Sequence, residues 1–79
     1  MKTRKYKYIT VSFAFVVGKT NAYYVSNNRS GAGLGNIRWY APWRQYVYYP
    51  SADTLFSAGC LGDIASFINE KMQERKEKS

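Results

Sequence analysis

Residues 35–50, Gly-Asn-Ile-Arg-Trp-Tyr-Ala-Pro-Trp-Arg-Gln-Tyr-Val-Tyr-Tyr-Pro, constrain the fold more than any other stretch. They hold both tryptophans of the chain, four of its eight tyrosines and two arginines, with no acidic group. Aromatic and β-branched residues in alternation suit a pleated, half-buried strand. Ala41-Pro42-Trp43 breaks the alternation, so the stretch reads as a β-hairpin. A chain of 79 residues can hide few side chains, so its large rings must share one core or serve an interface.

Loop length decides which rings go where, because a shift of one residue turns a strand over. A two-residue loop would put Arg44, Tyr46 and Tyr48 on the face of Ile37 and Trp39. A three-residue loop (Ala41, Pro42, Trp43) pairs Tyr40 with Arg44. Ile37, Trp39, Gln45, Val47 and Tyr49 then share one face, and Arg38, Tyr40, Arg44, Tyr46 and Tyr48 the other. The odd-length loop keeps both arginines off the core and is the register expected here. It leaves Trp43 exposed at the tip, and Pro50 ends the strand.

The rest of the chain supplies the partners. Residues 5–17 place Ile9, Val11, Phe13, Phe15 and Val17 at every second position, one strand. Residues 18–21 are a turn, residues 22–26 a short strand, and residues 27–33, dense in Asn, Ser and Gly, an exposed loop. After a turn at residues 51–54, Leu55 and Phe56 are expected under the sheet. Ser57 suits an N-cap, and Cys60, Leu61, Ile64, Phe67, Ile68 and Met72 form one apolar stripe at helical spacing. The helix is expected over about residues 57–75. The fold class is therefore α+β: a four-stranded antiparallel meander with one C-terminal helix packed on one face, a single domain over residues 1–79. Its expected core is Ile9, Val11, Phe13, Phe15, Val25, Ile37, Trp39, Val47, Leu61, Ile64, Phe67 and Ile68.

Charge is distributed unevenly. The formal net charge is +7, and residues 1–50 contain eight Lys and Arg without one Asp or Glu. A one-signed sheet fits a polyanionic partner, nucleic acid first and an anionic membrane surface second. The five acids all lie beyond residue 50, with Glu70, Glu74 and Glu77 read as a solvated helix face.

Several chemistries are disfavoured. With one cysteine and no histidine, the chain can form no internal disulfide and no Cys/His metal site. Cys60 lies on the apolar stripe, where a thiol is inert packing. Gly18-Lys19-Thr20 lacks the earlier glycine of a phosphate-binding loop and joins two strands. No nucleophile–base pair is visible. The expectation is a non-enzymatic protein without cofactor or metal. The basic residues 1–8 and apolar residues 9–17 loosely imitate a signal peptide. The short, alternating, leucine-free stretch argues for a strand instead, with the cytoplasm of a bacterial host as the expected compartment.

From Leu34 onward the chain resembles a family of small uncharacterised proteins from bacteriophages and prophages. Leu34, Gly35, Ile37, Trp39, Tyr40, Trp43, Arg44, Tyr46 and Pro50 carry the pattern, continued by Thr54 and Phe56 and then by Cys60, Leu61, Asp63, Ile64, Phe67 and Ile68. The resemblance covers about half the chain and implies a phage or mobile-element origin without assigning an activity. Four antiparallel strands and a helix are also the plan of the dimeric coactivators that bind single-stranded DNA and of the Whirly proteins, a likeness of architecture alone.

The sharpest functional expectation is single-stranded nucleic-acid binding by Arg38, Tyr40, Arg44, Tyr46 and Tyr48, extended by Lys5 and Lys7. Tyr40 and Tyr46 would stack on bases, and Arg38 and Arg44 would follow the phosphates. The alternative is a protein-interaction module, either a homodimer or a binder of a host protein, since rings with arginine also make protein interfaces. Tyr–Arg pairs that merely stabilise a sheet surface are the structural explanation both must overcome.

Overall fold

The computed structural model describes residues 3–78, with side chains described as far as Lys76. One antiparallel sheet of five strands is followed by a helix: β1 (Thr3–Lys5), β2 (Ile9–Val17), β3 (Thr20–Asn27), β4 (Gly33–Tyr40), β5 (Gln45–Pro50) and α1 (Ala58–Lys78). The strands are neighbours in chain order, a meander as expected, with one strand more than the four expected. The additional strand is β1. Residues 6–8 turn the chain back on itself, closed by the Tyr6 N–H donating to the Ile9 carbonyl at 2.8 Å, so the long first strand is two.

The helix crosses one face of the sheet, and the core lies between them. Ile9, Val11, Tyr23, Val25, Leu34, Ile37 and Tyr46 from the strands meet Cys60, Ile64 and Phe67 from α1. Tyr23 and Phe67 meet edge to face, their ring centroids 4.9 Å apart. Ser57 caps the helix: its hydroxyl accepts from the Cys60 N–H at 3.2 Å, satisfying one of the amides left open by the first turn. The lone thiol of Cys60 is buried in the apolar stripe.

Three members of the expected core are elsewhere, and so is Leu55. Phe15 is 45% exposed because the pairing of β2 with β3 shifts between Phe13 and Phe15. One extra residue there turns everything after it to the other face. Leu61 is 52% exposed, since it lies on the flank of a stripe centred on Ile64 and Phe67. Val47 faces away from the helix. Leu55 is 91% exposed, and Phe56 alone tucks in, edge-on to Tyr48 at 5.5 Å.

The hairpin of β4 and β5 also departs from expectation. Tyr40 pairs with Gln45, Trp39 with Tyr46, Arg38 with Val47 and Ile37 with Tyr48. The loop therefore has four residues: a 3₁₀ turn over Ala41–Trp43, then Arg44 in the left-handed region at φ 54°, ψ 48°. Ile37 and Trp39 face the helix as expected, but Tyr46 and Tyr48 join them. This register buries more ring surface, with Tyr46 edge-on to Trp39 at 5.3 Å, and large aromatic surface is what a short chain most needs to cover. Both arginines still avoid the core. Arg44 does so by joining the loop, which is how the even register becomes acceptable. Trp43 is 65% exposed at the tip, as expected.

The loop after β3 is anchored. The Asn28 side-chain amide donates to the carbonyls of Tyr6 at 2.8 Å and Lys7 at 3.3 Å. Its backbone N–H donates to the Tyr8 carbonyl at 3.0 Å, and its side-chain oxygen accepts from Thr10. One asparagine thus ties this loop to the turn between β1 and β2. The helix holds the same turn from the other side, where Asp63 accepts from the Tyr8 N–H at 2.9 Å. Glu70 binds Arg4 through both carboxylate oxygens at 2.7 and 2.8 Å, so it is a tether for β1 and not part of a solvated face. Glu74 pairs with Lys71 at 3.2 Å, and the Glu77 side chain lies outside the described residues. Among the described residues, no helix is long and apolar enough to cross a membrane.

Candidate nucleic-acid interface

The register of β4 and β5 divides the expected binding residues among three places. Arg38 and Tyr40 lie on the open face of the sheet, opposite the helix, and Lys5 shares that face because it pairs with Thr10. Tyr46 and Tyr48 lie on the covered face. Arg44 sits in the loop at the end of the sheet. Lys7 is in the turn between β1 and β2, its ammonium 5.5 Å from the Tyr8 ring centre. The single face built from Arg38, Tyr40, Arg44, Tyr46 and Tyr48 therefore does not exist. The four-residue loop separates its members.

The buried pair has the electrostatics of core residues. Burial pushes the Tyr46 phenol above its ordinary range and that of Tyr48 up to about 12. The Tyr48 hydroxyl is buried with no hydrogen-bond partner, so it favours neutrality and offers little to a ligand.

The open face has a different set of rings. Alternation places Tyr24 of β3, Tyr40 of β4 and Val47 and Tyr49 of β5 there, and the shift in β2 adds Phe15. Tyr24 is 44% exposed, and its hydroxyl lies over Gly33, where a β-carbon would collide with it. At the centre, the Arg38 guanidinium lies 4.2 Å from the Tyr49 ring centre, while its Nε is buried without a partner. Residues 1–50 contain no acid, so no carboxylate on the strands opposes this cation. Tyr49 and Phe15 were assigned to the core side by sequence. A shifted pairing and one loop residue exchanged them for others.

A second basic region lies at the end of the sheet where the β2–β3 turn, the β4–β5 loop and the last turns of α1 converge. Lys19, Arg44, Lys71, Arg75 and Lys76 line two adjoining grooves there, with Glu74 as the single carboxylate among the described residues. Tyr23, Tyr46 and Trp39 form the apolar walls. The Arg75 guanidinium is centred 4.0 Å from the Trp39 ring centre. The Lys71 ammonium lies 5.3 Å from the rings of both Tyr23 and Phe67. Burial works against the Lys71 charge, but Tyr23 and Glu74 outweigh it and raise its pKa, so the group stays cationic. None of these cations except Arg44 was among the expected binding residues. A signal was present. Lys71 and Arg75 continue the spacing of Ile64 and Phe67/Ile68, so the core-facing stripe of the helix turns cationic over its last turns.

No protein-family model matches the chain, and no solved structure matches it. Over 59 residues the chain is 36% identical to an uncharacterised 9.3 kDa protein of Acholeplasma phage L2, covering 75% of this chain and 76% of the phage protein. That likeness accords with the phage relationship expected from the sequence. On this identity and coverage, the chain belongs to the same family as that small phage protein.

Proposed function

We propose that this protein is a non-enzymatic phage accessory protein that binds single-stranded nucleic acid on the open face of its sheet. One observation carries the reading: Arg38 is stacked on Tyr49 at the centre of an uncovered, ring-bearing face whose strands hold no acid. Single strands need sequence-tolerant stacking surfaces for bases and cations for phosphates. Tyr24, Tyr40 and Tyr49 supply the first, and Arg38 and Lys5 the second. Arg38 is suited to the role because its planar fork is weakly hydrated and can stack on a ring while meeting a phosphate. The residues differ in part from those first expected. Arg38, Tyr40 and Lys5 remain, Tyr24 and Tyr49 enter, and Tyr46 and Tyr48 belong to the core. The absence of histidine and the burial of the one thiol support the non-enzymatic reading.

Fluorescence anisotropy with a labelled single-stranded oligonucleotide tests the proposal at low and moderate salt, with a duplex beside it. Tight, salt-sensitive binding that prefers the single strand and weakens in Arg38→Ala and Tyr49→Ala variants is expected. Stacking contributes about 1–3 kcal/mol per base, so the loss of Tyr49 should weaken binding roughly tenfold. The absence of binding at low salt would overturn the proposal. Phe15, Tyr24 and Val17 are also exposed on the strands, which favours the second reading, a homodimer or host-protein contact. Salt-insensitive self-association or capture of a protein partner through this face would support that alternative.

A further inference from the structure

We infer that the basic groove beside the last turns of α1 is a second element of the same interface and takes the phosphate backbone of the strand whose bases lie on the sheet. The inference rests on reading this chain as a nucleic-acid binder.

Three segments far apart in sequence bring cations to one place: Lys19 from the β2–β3 turn, Arg44 from the β4–β5 loop, and Lys71, Arg75 and Lys76 from the helix. Packing alone does not ask for this. Lys71 and Arg75 occupy positions where the spacing of Ile64 and Phe67 would place further apolar residues. The rings of Tyr23, Phe67 and Trp39 instead support their charged heads, an arrangement that holds cations at the rim of a core. Among the described residues lining the groove, Glu74 is the one carboxylate against five cations, so the lining carries a net positive charge. Charges along a concave wall attract an anion more strongly than the same charges on a convex surface. A recess between helix and sheet admits one extended phosphate backbone, whereas a flat bilayer meets only its rim.

The groove also adjoins the open face. Tyr40 of that face stands at the start of the loop that carries Arg44, and its ring packs edge-on to Trp43 at 5.1 Å. Trp43 is exposed at the tip between the two regions. A strand leaving Tyr40 would pass Trp43 and reach Arg44 and then the helix cations. The sheet would supply stacking, and the groove most of the counterion release.

Amide and indole NMR signals of the full chain, titrated with a fifteen-nucleotide oligo-dT at low salt, test this directly. The amides of Lys19, Thr20 and Arg44 and the Trp39 indole should shift together with those of Tyr24, Tyr40 and Tyr49. In parallel, a Lys19→Gln, Arg44→Asn, Lys76→Gln triple variant alters exposed side chains only, and an unchanged unbound spectrum would verify its fold. Its salt slope should fall by about 2, from about 0.7 per phosphate contact, with about 100-fold weaker binding at 0.1 M salt. Shifts confined to the sheet face, with an unchanged salt slope, would overturn the groove and leave the proposed function standing. Shifts confined to the groove would overturn both the stacking platform and the shared interface, leaving the cations as a separate site. No shifts at all would overturn both. Groove shifts produced by phosphatidylglycerol vesicles and not by oligo-dT would also overturn the inference, assigning the cations to lipid headgroups.

Discussion

The two faces of this sheet are made from similar residues and behave differently. The covered face holds Tyr23, Tyr46, Tyr48 and Trp39 against the helix, and the open face holds Tyr24, Tyr40 and Tyr49. On the covered side the rings meet other rings edge-on: Tyr23 with Phe67, Trp39 with Tyr46, Tyr48 with Phe56. There they serve as bulk, and burial raises the pKa of Tyr46 and Tyr48. On the open side Tyr49 meets a guanidinium, and Tyr24 remains substantially exposed. Tyrosine suits both settings because it has an apolar body and a polar tip. Residue type therefore does not separate scaffold from surface here. Strand register does.

The most severe way to break this division is to change the loop that sets it. Deletion of Ala41 would shorten the β4–β5 loop by one residue and turn β5 over, carrying Tyr46 and Tyr48 out of the core. Losing two buried aromatics costs roughly 6 kcal/mol or more at about 3–5 each. That is comparable to the whole stability of a small domain. We expect loss of the cooperative unfolding transition in urea, and a stable deletion variant would mean that register tolerates slippage here. A smaller but sharper contrast comes from one truncation on each face. Phe67→Ala, at a residue 3% exposed, should cost about 3–5 kcal/mol by urea denaturation. Tyr49→Ala should cost about 1 kcal/mol or less, as expected of a position without a helix above it. Equal costs would show the open face to be structural in the same sense as the covered one.

The smallest effect concerns the orphan hydroxyl of Tyr48. Tyr48→Phe removes a buried polar atom without a partner and should stabilise the protein by about 1 kcal/mol. It should also change the alkaline limb. The Tyr48 phenol titrates at about 12 in the folded chain against an ordinary value of 10.0. The unfolded chain therefore loses this proton first as pH rises. Stability due to the neutral phenol is present below pH 10 and disappears progressively toward pH 12. The Tyr48→Phe variant should show a shallower fall over that window. An identical fall in both proteins would place the alkaline sensitivity elsewhere, with Tyr6 and Tyr46, also raised by burial, as the next groups to replace.

Much of the architecture was legible. Alternation in residues 9–13 announced β2, Ser57 marked the start of the helix, and the spacing of Cys60, Ile64 and Phe67 named the stripe that meets the sheet. Errors arose at short irregularities of one to three residues. The extra residue between Phe13 and Phe15, the turn that separates β1 from β2, and the fourth loop residue Arg44 each leave the local pattern looking regular. A bulge or left-handed residue alters which face follows without altering which residues are present. The candidate site suffered most because it was defined by a face. Arg38, Tyr40 and Lys5 were placed together, whereas Tyr46 and Tyr48 were not. The basic groove was invisible for another reason: Lys19, Arg44 and Arg75 are neighbours only after the sheet and helix have assembled.

Composition and periodicity by themselves determined that this chain is a basic α+β protein with an aromatic-rich antiparallel sheet and a C-terminal helix. Those properties follow from local propensity and from charge, which the residues carry wherever they go. Tertiary structure decided which tyrosines are core and which are surface, and it gathered cations from three segments into one groove. The physical reason is the period of two in a strand. One residue added or removed in a loop reverses every side chain that follows, and the choice belongs to whichever register buries the larger rings against the helix.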